Sequence, residues 1–246
     1  DLSFNHLFSF LDTMMAAHIG SEVVSAVSHL SQIKTMITAI GAGLAVAGGI
    51  IIARYYGAGD GKAVKKYVNT VLFLAISIGI LLLLLILPFV EPILRLANTP
   101  EEHIRVGTSY FIVEIITIVS IFVNNVYMAI EKAKGNTRII LNLNLVVFAV
   151  KLSLTALFVY VFNFGITMMA VATLISHIVL TVIGITNMVN ADYEFKLSSK
   201  SIDFSSKTLR SILVLAAPIF FERFTFSLGK VVVNSMSAFY GSLVIG

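Results

Sequence analysis

Long apolar stretches, separated by short polar connections, dominate the chain. Residues 35–53, 67–90 and 152–191 contain no Asp, Glu, Lys or Arg, and each stretch is long enough for one or two helices across a hydrocarbon layer of about 30 Å. No strand-like alternation of polar and apolar residues competes with this pattern. The pattern predicts seven helices, over residues 2–18, 23–54, 64–90, 103–130, 138–162, 166–190 and 209–245.

The composition places the chain in a membrane rather than in water. Of its 246 residues, 58% are hydrophobic and 12% are charged, and the mean hydropathy is +0.96, far more apolar than a soluble domain of this size requires. We expect an all-α integral membrane protein, built as a multi-helix bundle in the lipid bilayer. The net charge of +4 does not indicate a nucleic-acid partner, because the basic residues stand in short segments between apolar ones. With no cysteine, the chain offers no disulfide framework and no soft-metal site.

The polar linker over residues 191–208 is rich in Ser and Lys, and it predicts a boundary between two lobes. We expect residues 1–190 to form an N-terminal transmembrane lobe of six helices, and residues 209–246 to form the first helix of a second lobe. The chain begins without an initiator Met or a signal peptide and stops inside an apolar segment, so we expect it to be a piece of a longer protein.

Basic residues are concentrated in every second connection between the predicted helices. Eleven of the 17 Lys and Arg residues stand there: Arg54, Lys62, Lys65, Lys66, Lys132, Lys134, Arg138, Lys196, Lys200, Lys207 and Arg210. Because short cytoplasmic loops carry an excess of Lys and Arg, the pattern places the loops around Gly57, Gly135 and Ser198 in the cytoplasm. We therefore expect a multi-pass protein of the cell membrane whose first helix runs outward.

Several charged residues fall in the interior of the predicted spans, namely Asp12, Lys34, Glu114, Lys151, Glu222, Arg223 and Lys230. A charge near the bilayer centre costs about 2.5–3.5 kcal/mol on insertion scales, so each is expected to face a partner or a water-filled cavity. Asn5 and Asp12 share one helical face, which predicts a polar stripe aimed at the bundle interior. The small residues over 41–49 predict a surface on which another helix packs closely.

Four groups of short motifs resemble one known family of transporters. Leu11-Asp12-Thr13 with His18-Ile19-Gly20 stands in the first predicted helix, and Arg54-Tyr-Tyr-Gly-Ala-Gly-Asp60 follows the second. Gly135-Asn136-Thr137 precedes the fifth predicted helix, and Ala217-Pro218-Ile-Phe-Phe-Glu222 lies in the seventh. In their order and spacing, over nearly the whole chain, these motifs resemble the multidrug and toxic compound extrusion (MATE) antiporters.

The resemblance implies a fold and an activity for the full-length protein. It implies twelve helices in two six-helix lobes around a V-shaped cavity, and export of small organic cations or amphiphiles coupled to inward flow of H⁺ or Na⁺. No cofactor is implied beyond the coupling ion, and we expect a monomer. Asp12 matches the family's coupling acid, at which Na⁺ is one of the two candidate ions, and Glu222 matches an acid of the seventh helix used in part of the family. Lys151 departs from the pattern, since many relatives carry Asn and Asp in the middle of the fifth helix.

The charges within the spans leave alternatives open. Asp12 is either a coupling site or half of a static ion pair with Lys34 or Lys151. Glu222 either contacts a cationic substrate or is held by the basic residues that follow it in the same helix. Glu114 is expected to pair with one of the same two lysines.

Two activities fit this pattern. The first is ion-coupled export of drugs, and the second is a flippase for a lipid-linked precursor on the same two-lobed scaffold, in which the basic residues of the spans grip an anionic headgroup. An enzyme is not expected, because the loop over residues 57–62 lacks the Gly and Ser or Thr positions of a P-loop and no hydrolase motif occurs. Asp60 is instead expected to cap the helix that begins near Lys62.

Overall fold

The structure is a computed structural model, and it describes residues 14, 15, 17 and 18 together with residues 21–96, 101–190 and 195–239. These residues are mostly helical and contain no β-strand. The α-helices are α1 (Ser21–Gly57), α2 (Gly61–Ile86), α3 (Val90–Leu96), α4 (Glu101–Ala133), α5 (Thr137–Ala156), α6 (Ile166–Val189) and α7 (Ser206–Phe239). The predicted helix over residues 2–18 lies mostly outside the described residues, so α1 corresponds to the second predicted helix.

Six segments of the described chain are long and apolar enough to cross a membrane. They are Leu30–Gly57, Gly61–Arg95, Gly107–Ala133, Thr137–Val161, Ile166–Val189 and Ser206–Lys230. The predicted all-α membrane bundle is confirmed. Within it, α4 is central and packs against α1, α2 and α6, while α7 packs against α1.

Two predicted helices end earlier than their apolar sequence indicates. The helix predicted over residues 64–90 is wrong at its end, because α2 stops at Ile86 and a 3₁₀ turn containing Pro88 follows. Proline has no N–H to donate to the preceding turn, so the ladder of hydrogen bonds is interrupted there. The helix predicted over residues 138–162 is α-helical only to Ala156 and continues as a π-helical turn, Leu157–Val161.

Three glycines of α1 allow three other helices to approach it closely. A Cβ atom at Gly41 would lie 2.3 Å from the Phe122 ring of α4, and one at Gly48 would lie 2.6 Å from a valine of α2. At Gly43 a Cβ atom would lie 3.3 Å from the carbonyl oxygen of Ala216 in α7. Because lipid tails are as apolar as the side chains, such close van der Waals contact is a main source of helix association in a membrane. The close packing predicted for this stretch is confirmed.

The linker before α7 is bound along α2. Asn69 Oδ1 accepts the Ser198 N–H at 2.8 Å, and Thr70 Oγ1 accepts the Asp203 N–H at 3.0 Å. The Ser211 hydroxyl of α7 lies 3.1 Å from a tyrosine hydroxyl of α2. We call this set of contacts the linker clasp.

The beginning of the described linker is buried against the ends of two helices. Phe195 is 2% exposed, its ring packs edge-on against the Tyr56 ring at 5.7 Å, and Lys134 Nζ lies 5.9 Å from its centroid. The connections after α1, α4 and α6 therefore meet at one end of the bundle. The division of the chain into lobes at residues 191–208 stays a prediction, but residues 195–205 lie on the surface of the first bundle.

Asp203 organises the start of α7. Its Oδ2 accepts the Thr208 hydroxyl at 2.6 Å and the Ser205 hydroxyl at 2.9 Å, and its Oδ1 accepts the Ser205 N–H at 2.8 Å. Lys66 Nζ of α2 lies 3.3 Å from Oδ2. These bonds hold the pKa of Asp203 well below its usual range, with the Thr208 hydroxyl contributing most and the Ser205 N–H next.

We predict that the linker clasp is stable through mild acid and fails in strong acid. Because the folded pKa of Asp203 is depressed below the ordinary value of about 3.9, its carboxylate stabilises the clasp fully above that pH and loses this effect as the pH falls below it. Hydrogen exchange of residues 195–208 in the full-length protein should be unchanged from about pH 8 to about pH 5 and should accelerate below about pH 4, after correction for intrinsic rates.

The matched control for this experiment is Asp60, which caps α2 by accepting the Ala63 N–H at 3.0 Å and forms no hydrogen bond or ion pair with the described part of the linker. Asp203→Asn should accelerate exchange in the linker at neutral pH, whereas Asp60→Asn should leave the linker unchanged. Equal exchange in both variants and the wild type would show that Asp203 does not hold the clasp.

Candidate functional site

A buried ion pair joins α1 to α4 inside the membrane spans. Lys34 Nζ donates to Glu114 Oε2 at 2.8 Å, and the two side chains are 21% and 2% exposed. The sequence left two lysines open as partners for Glu114, and in the structure Lys34 is the one that pairs with it. The pair places the positive charge of Lys34 against the buried Glu114 carboxylate, which compensates for the loss of solvent around that carboxylate.

A second polar cluster joins α4 to α6. Asn124 Nδ2 donates to the backbone oxygen of His177 at 2.9 Å and lies 3.3 Å from its Nδ1. Thr181 Oγ1 donates to Asn124 Oδ1 at 2.9 Å. One turn further along, Asn187 Nδ2 donates to the Tyr127 hydroxyl at 2.8 Å. The side chains of Asn124, Thr181 and Asn187 therefore form hydrogen bonds between α4 and α6.

Sequence reasoning did not single out Thr181 or Asn187. The available signal was their spacing, because His177, Thr181 and Gly184 recur at intervals of one helical turn and share a face of α6. A Cβ atom at Gly184 would lie 2.9 Å from the Tyr127 ring, so the same face brings α6 against α4.

The buried face of α5 carries polar groups in an otherwise apolar interior. Asn144, Lys151 and Thr155 are 9%, 8% and 1% exposed and stand on the face that packs into the bundle. Three charged residues of the described spans are thus buried in the bundle: Glu114, Glu131 and Lys151.

The charged residues of α7 form a separate, exposed group. Glu222, Arg223 and Lys230 are all exposed, and Lys230 Nζ lies 4.9 Å from the Phe226 ring centroid. Within the described residues no ion pair joins Glu222 to either basic neighbour, so the alternative in which those neighbours hold it is not the arrangement observed. Asn5 and Asp12 lie outside the described residues.

Aromatic rings surround the position of Glu222 along α7. The Phe220 ring lies 5.3 Å from that of Phe221 and 5.4 Å from that of Phe224. Phe221 and Phe226 are 62% and 66% exposed. The exposed part of α7 thus combines one carboxylate and two basic side chains with several phenyl rings.

Comparison with known proteins assigns the chain to a family. The family model described as MatE matches residues 2–157, which is more than half of the chain. The chain belongs to the MatE family. The resemblance to MATE antiporters in the short motifs is thereby confirmed at the level of the family, and members of this family are transporters rather than enzymes.

Individual MatE relatives match nearly the whole chain. The Probable multidrug resistance protein YpnP of Bacillus subtilis (strain 168) is 27% identical over 245 residues, which cover 97% of this chain and 53% of YpnP. An inward-facing structure of a multidrug resistance MATE family transporter of the MOP superfamily matches with a TM-score of 0.88 at 23% identity, over 97% of this chain and 54% of that one. An outward-facing structure matches with the same TM-score and identity, over 98% of this chain and 53% of that one. The chain spans about half the length of these relatives.

Two MatE motifs of this chain have a structural role in turns. Gly59 and Gly135 have positive φ angles of 73° and 80°, which side chains with a Cβ rarely adopt. Asp60 caps α2 as expected from the sequence. Asn136, which precedes α5, donates its side-chain amide to Glu131 Oε2 at 2.7 Å. These motifs set the turns after α1 and α4 and do not form a phosphate-binding loop.

We predict strong energetic coupling between Lys34 and Glu114. Lys34→Met or Glu114→Gln alone leaves an uncompensated group in the bundle, and each should lower the free energy of unfolding by about 3 kcal/mol. The double variant should recover most of that loss, because a neutral pair carries no desolvation cost. Thermal and denaturant unfolding of the full-length protein in detergent measures the cycle. Additive losses in the double variant would show that the two side chains do not stabilise one another.

Proposed function

We propose that the full-length protein exports cationic or amphiphilic compounds by antiport with H⁺ or Na⁺, through a cavity that opens alternately to the two sides of the membrane. The observation that carries the coupling mechanism is the Lys34–Glu114 ion pair at 2.8 Å. Because Lys34 already has a carboxylate partner, the interpretation of Asp12 as a static partner of Lys34 loses its support. The static alternative that remains for Asp12 is a pair with Lys151, and we propose instead that the Asp12 charge is available for transport.

The fold supports alternation by movement between lobes. The chain matches an inward-facing and an outward-facing MATE structure with the same TM-score of 0.88. Equal scores are expected if the first lobe keeps its internal packing while the orientation of the two lobes changes. The many contacts that α4 makes with its neighbours, including the Lys34–Glu114 ion pair, favour such rigid behaviour.

The physical basis of coupling is the cost of a charge in hydrocarbon. A protonated Asp12 carries no net charge and an ionised one does, so loading and release of a proton follow which side of the membrane hydrates the carboxyl group. Each proton that enters down a potential of 100 mV supplies about 2.3 kcal/mol. Na⁺ bound at the same carboxylate would supply the same electrical energy, and the two ions are distinguished by experiment.

Glu222 is proposed to contact the exported cation. Its carboxylate is exposed, has no ion-pair partner among the described residues, and stands beside exposed phenylalanine rings of α7. A carboxylate and phenyl faces together recognise the charge and the apolar body of an amphiphilic cation. The flippase interpretation is not favoured, because the relatives that match are multidrug transporters by name.

We predict that Asp12→Asn abolishes ion-driven export. Everted vesicles that contain the full-length protein should move a fluorescent organic cation when a proton gradient or a sodium gradient is imposed, and the ion that drives movement names the coupling ion. Loss of one coupled charge at 100 mV should reduce accumulation by roughly forty-fold. Asp60→Asn, which removes a carboxylate in a turn, is the matched control. Full ion-driven export by the folded Asp12→Asn protein would contradict the coupling role.

We predict that Glu222→Gln weakens substrate binding and spares ion coupling. Loss of one charge-assisted contact should raise the dissociation constant of a cationic dye by about tenfold, because such contacts are worth about 1.5–3 kcal/mol. Arg223→Gln, at the neighbouring exposed position, should not weaken binding of a cation. Fluorescence titration of the purified full-length protein measures both. An unchanged affinity in Glu222→Gln would remove Glu222 from the substrate site.

A further inference from the structure

One buried hydroxyl in the bundle has no hydrogen-bond partner in the described part of the chain. Thr155 stands near the end of α5, is 1% exposed, and its Oγ1 neither donates to nor accepts from any described group. A buried hydroxyl without a partner is costly in an apolar interior, and more so within a membrane, because hydrocarbon offers it no hydrogen bond. Native proteins rarely keep such a group unless something binds it.

Thr155 differs from every other buried threonine that the structure describes. Thr70, Thr117 and Thr173 each donate to the backbone oxygen four residues earlier in the same helix, at 2.8, 2.8 and 3.1 Å. Thr208 donates to Asp203. The same internal acceptor is open in principle to Thr155, because it also lies more than four residues into its helix. Its hydroxyl does not use that acceptor and so remains available to a bound molecule.

Thr155 lies between the polar groups of the bundle interior and the end of α5. Lys151 lies one turn before it on the same buried face of α5, and the π-helical turn Leu157–Val161 begins two residues after it. Tyr160 in that turn is 50% exposed, and its ring lies 4.7 Å from the His18 ring. His18 belongs to the predicted helix that contains Asp12. π-Helical turns within α-helices are frequent at functional sites.

We propose that Thr155 Oγ1 binds an internal water molecule that connects solvent at the π-helical end of α5 with the polar groups of the bundle interior. Thr155 is then a positioning residue for proton transfer toward the coupling acid, and this inference rests on the proposed ion-coupled transport. The water accepts the Thr155 O–H or donates to its oxygen, and a proton that arrives on the water from outside leaves from it inward, so no bond to the protein is made or broken.

The surroundings favour water over a bound Na⁺ ion at this position. Thr155 supplies one oxygen, α5 contains no Asp or Glu, and the buried Lys151 stands on the same face one turn away. A cation at this position would need several oxygen ligands. A water molecule needs only two to four hydrogen-bonding partners and carries no charge.

Thr155→Val in the full-length protein tests the inference, because valine keeps the shape of threonine and removes the hydroxyl. In proteoliposomes, proton-driven movement of an organic cation should fall by about fivefold, while cation exchange without a pH gradient stays at the wild-type rate. Thr155→Ser should restore the proton-driven rate, since it returns the hydroxyl. Thr173→Val, whose hydroxyl is bonded within its own helix and which is 4% exposed, is the matched control and should behave as the wild type.

The outcomes separate failure of this inference from failure of the proposed function. Wild-type proton-driven rates in Thr155→Val would overturn the inference, whatever the melting temperature of the variant. If the wild type shows no ion-driven transport, the proposed function fails. The melting temperatures of the two Thr155 variants then test by themselves whether Thr155 binds a water molecule. Thr155→Val melting below Thr155→Ser then supports a bound water molecule, and Thr155→Val melting above it overturns one.

Discussion

Hydrocarbon surrounds most of this bundle and offers no hydrogen-bonding partner, so each polar side chain within the spans must find its partner inside the protein. α4 meets this requirement on two sides. Glu114 binds Lys34 of α1, and Asn124 binds the backbone of His177 in α6. Such bonds are directional and apolar contacts are not. They therefore fix the relative positions of three helices, which apolar contact alone would not do, because lipid tails are as apolar as the side chains.

Close backbone approach does the rest of the packing. The glycines of α1 bring α4 and α2 against it, and Gly43 brings α7 against it as well. At the N-terminal end of α7 the linker clasp ties the chain to α2 through Asn69 and Thr70. The helix that follows the linker is therefore held to the rest of the described bundle at two levels.

The distribution of charge within the spans follows from the same lack of polar partners in hydrocarbon, and the proposed mechanism depends on it. The pair formed by Lys34 and Glu114 has no net charge, so neither side chain leaves an uncompensated charge within the spans. Glu222 has no such partner in the described chain and stands among exposed phenyl rings. An acid within a membrane span without an ion-pair partner is usually functional, which is why Glu222 stays at the centre of the proposed substrate contact.

The sequence by itself determined the all-α membrane class, the approximate spans, the family and the set of charged residues within the spans, because apolar length and intramembrane charge are properties of composition along one dimension. The cap at Asp60 was also readable, since it depends on neighbours in sequence. Only the tertiary structure decided that Glu114 takes Lys34 rather than Lys151, that the linker lies along α2, and that Thr155 has an unused hydroxyl. The sequence also did not reveal the π-helical turn after Ala156. Each of these depends on which helix faces which, and residues far apart in the chain meet only after the helices have packed.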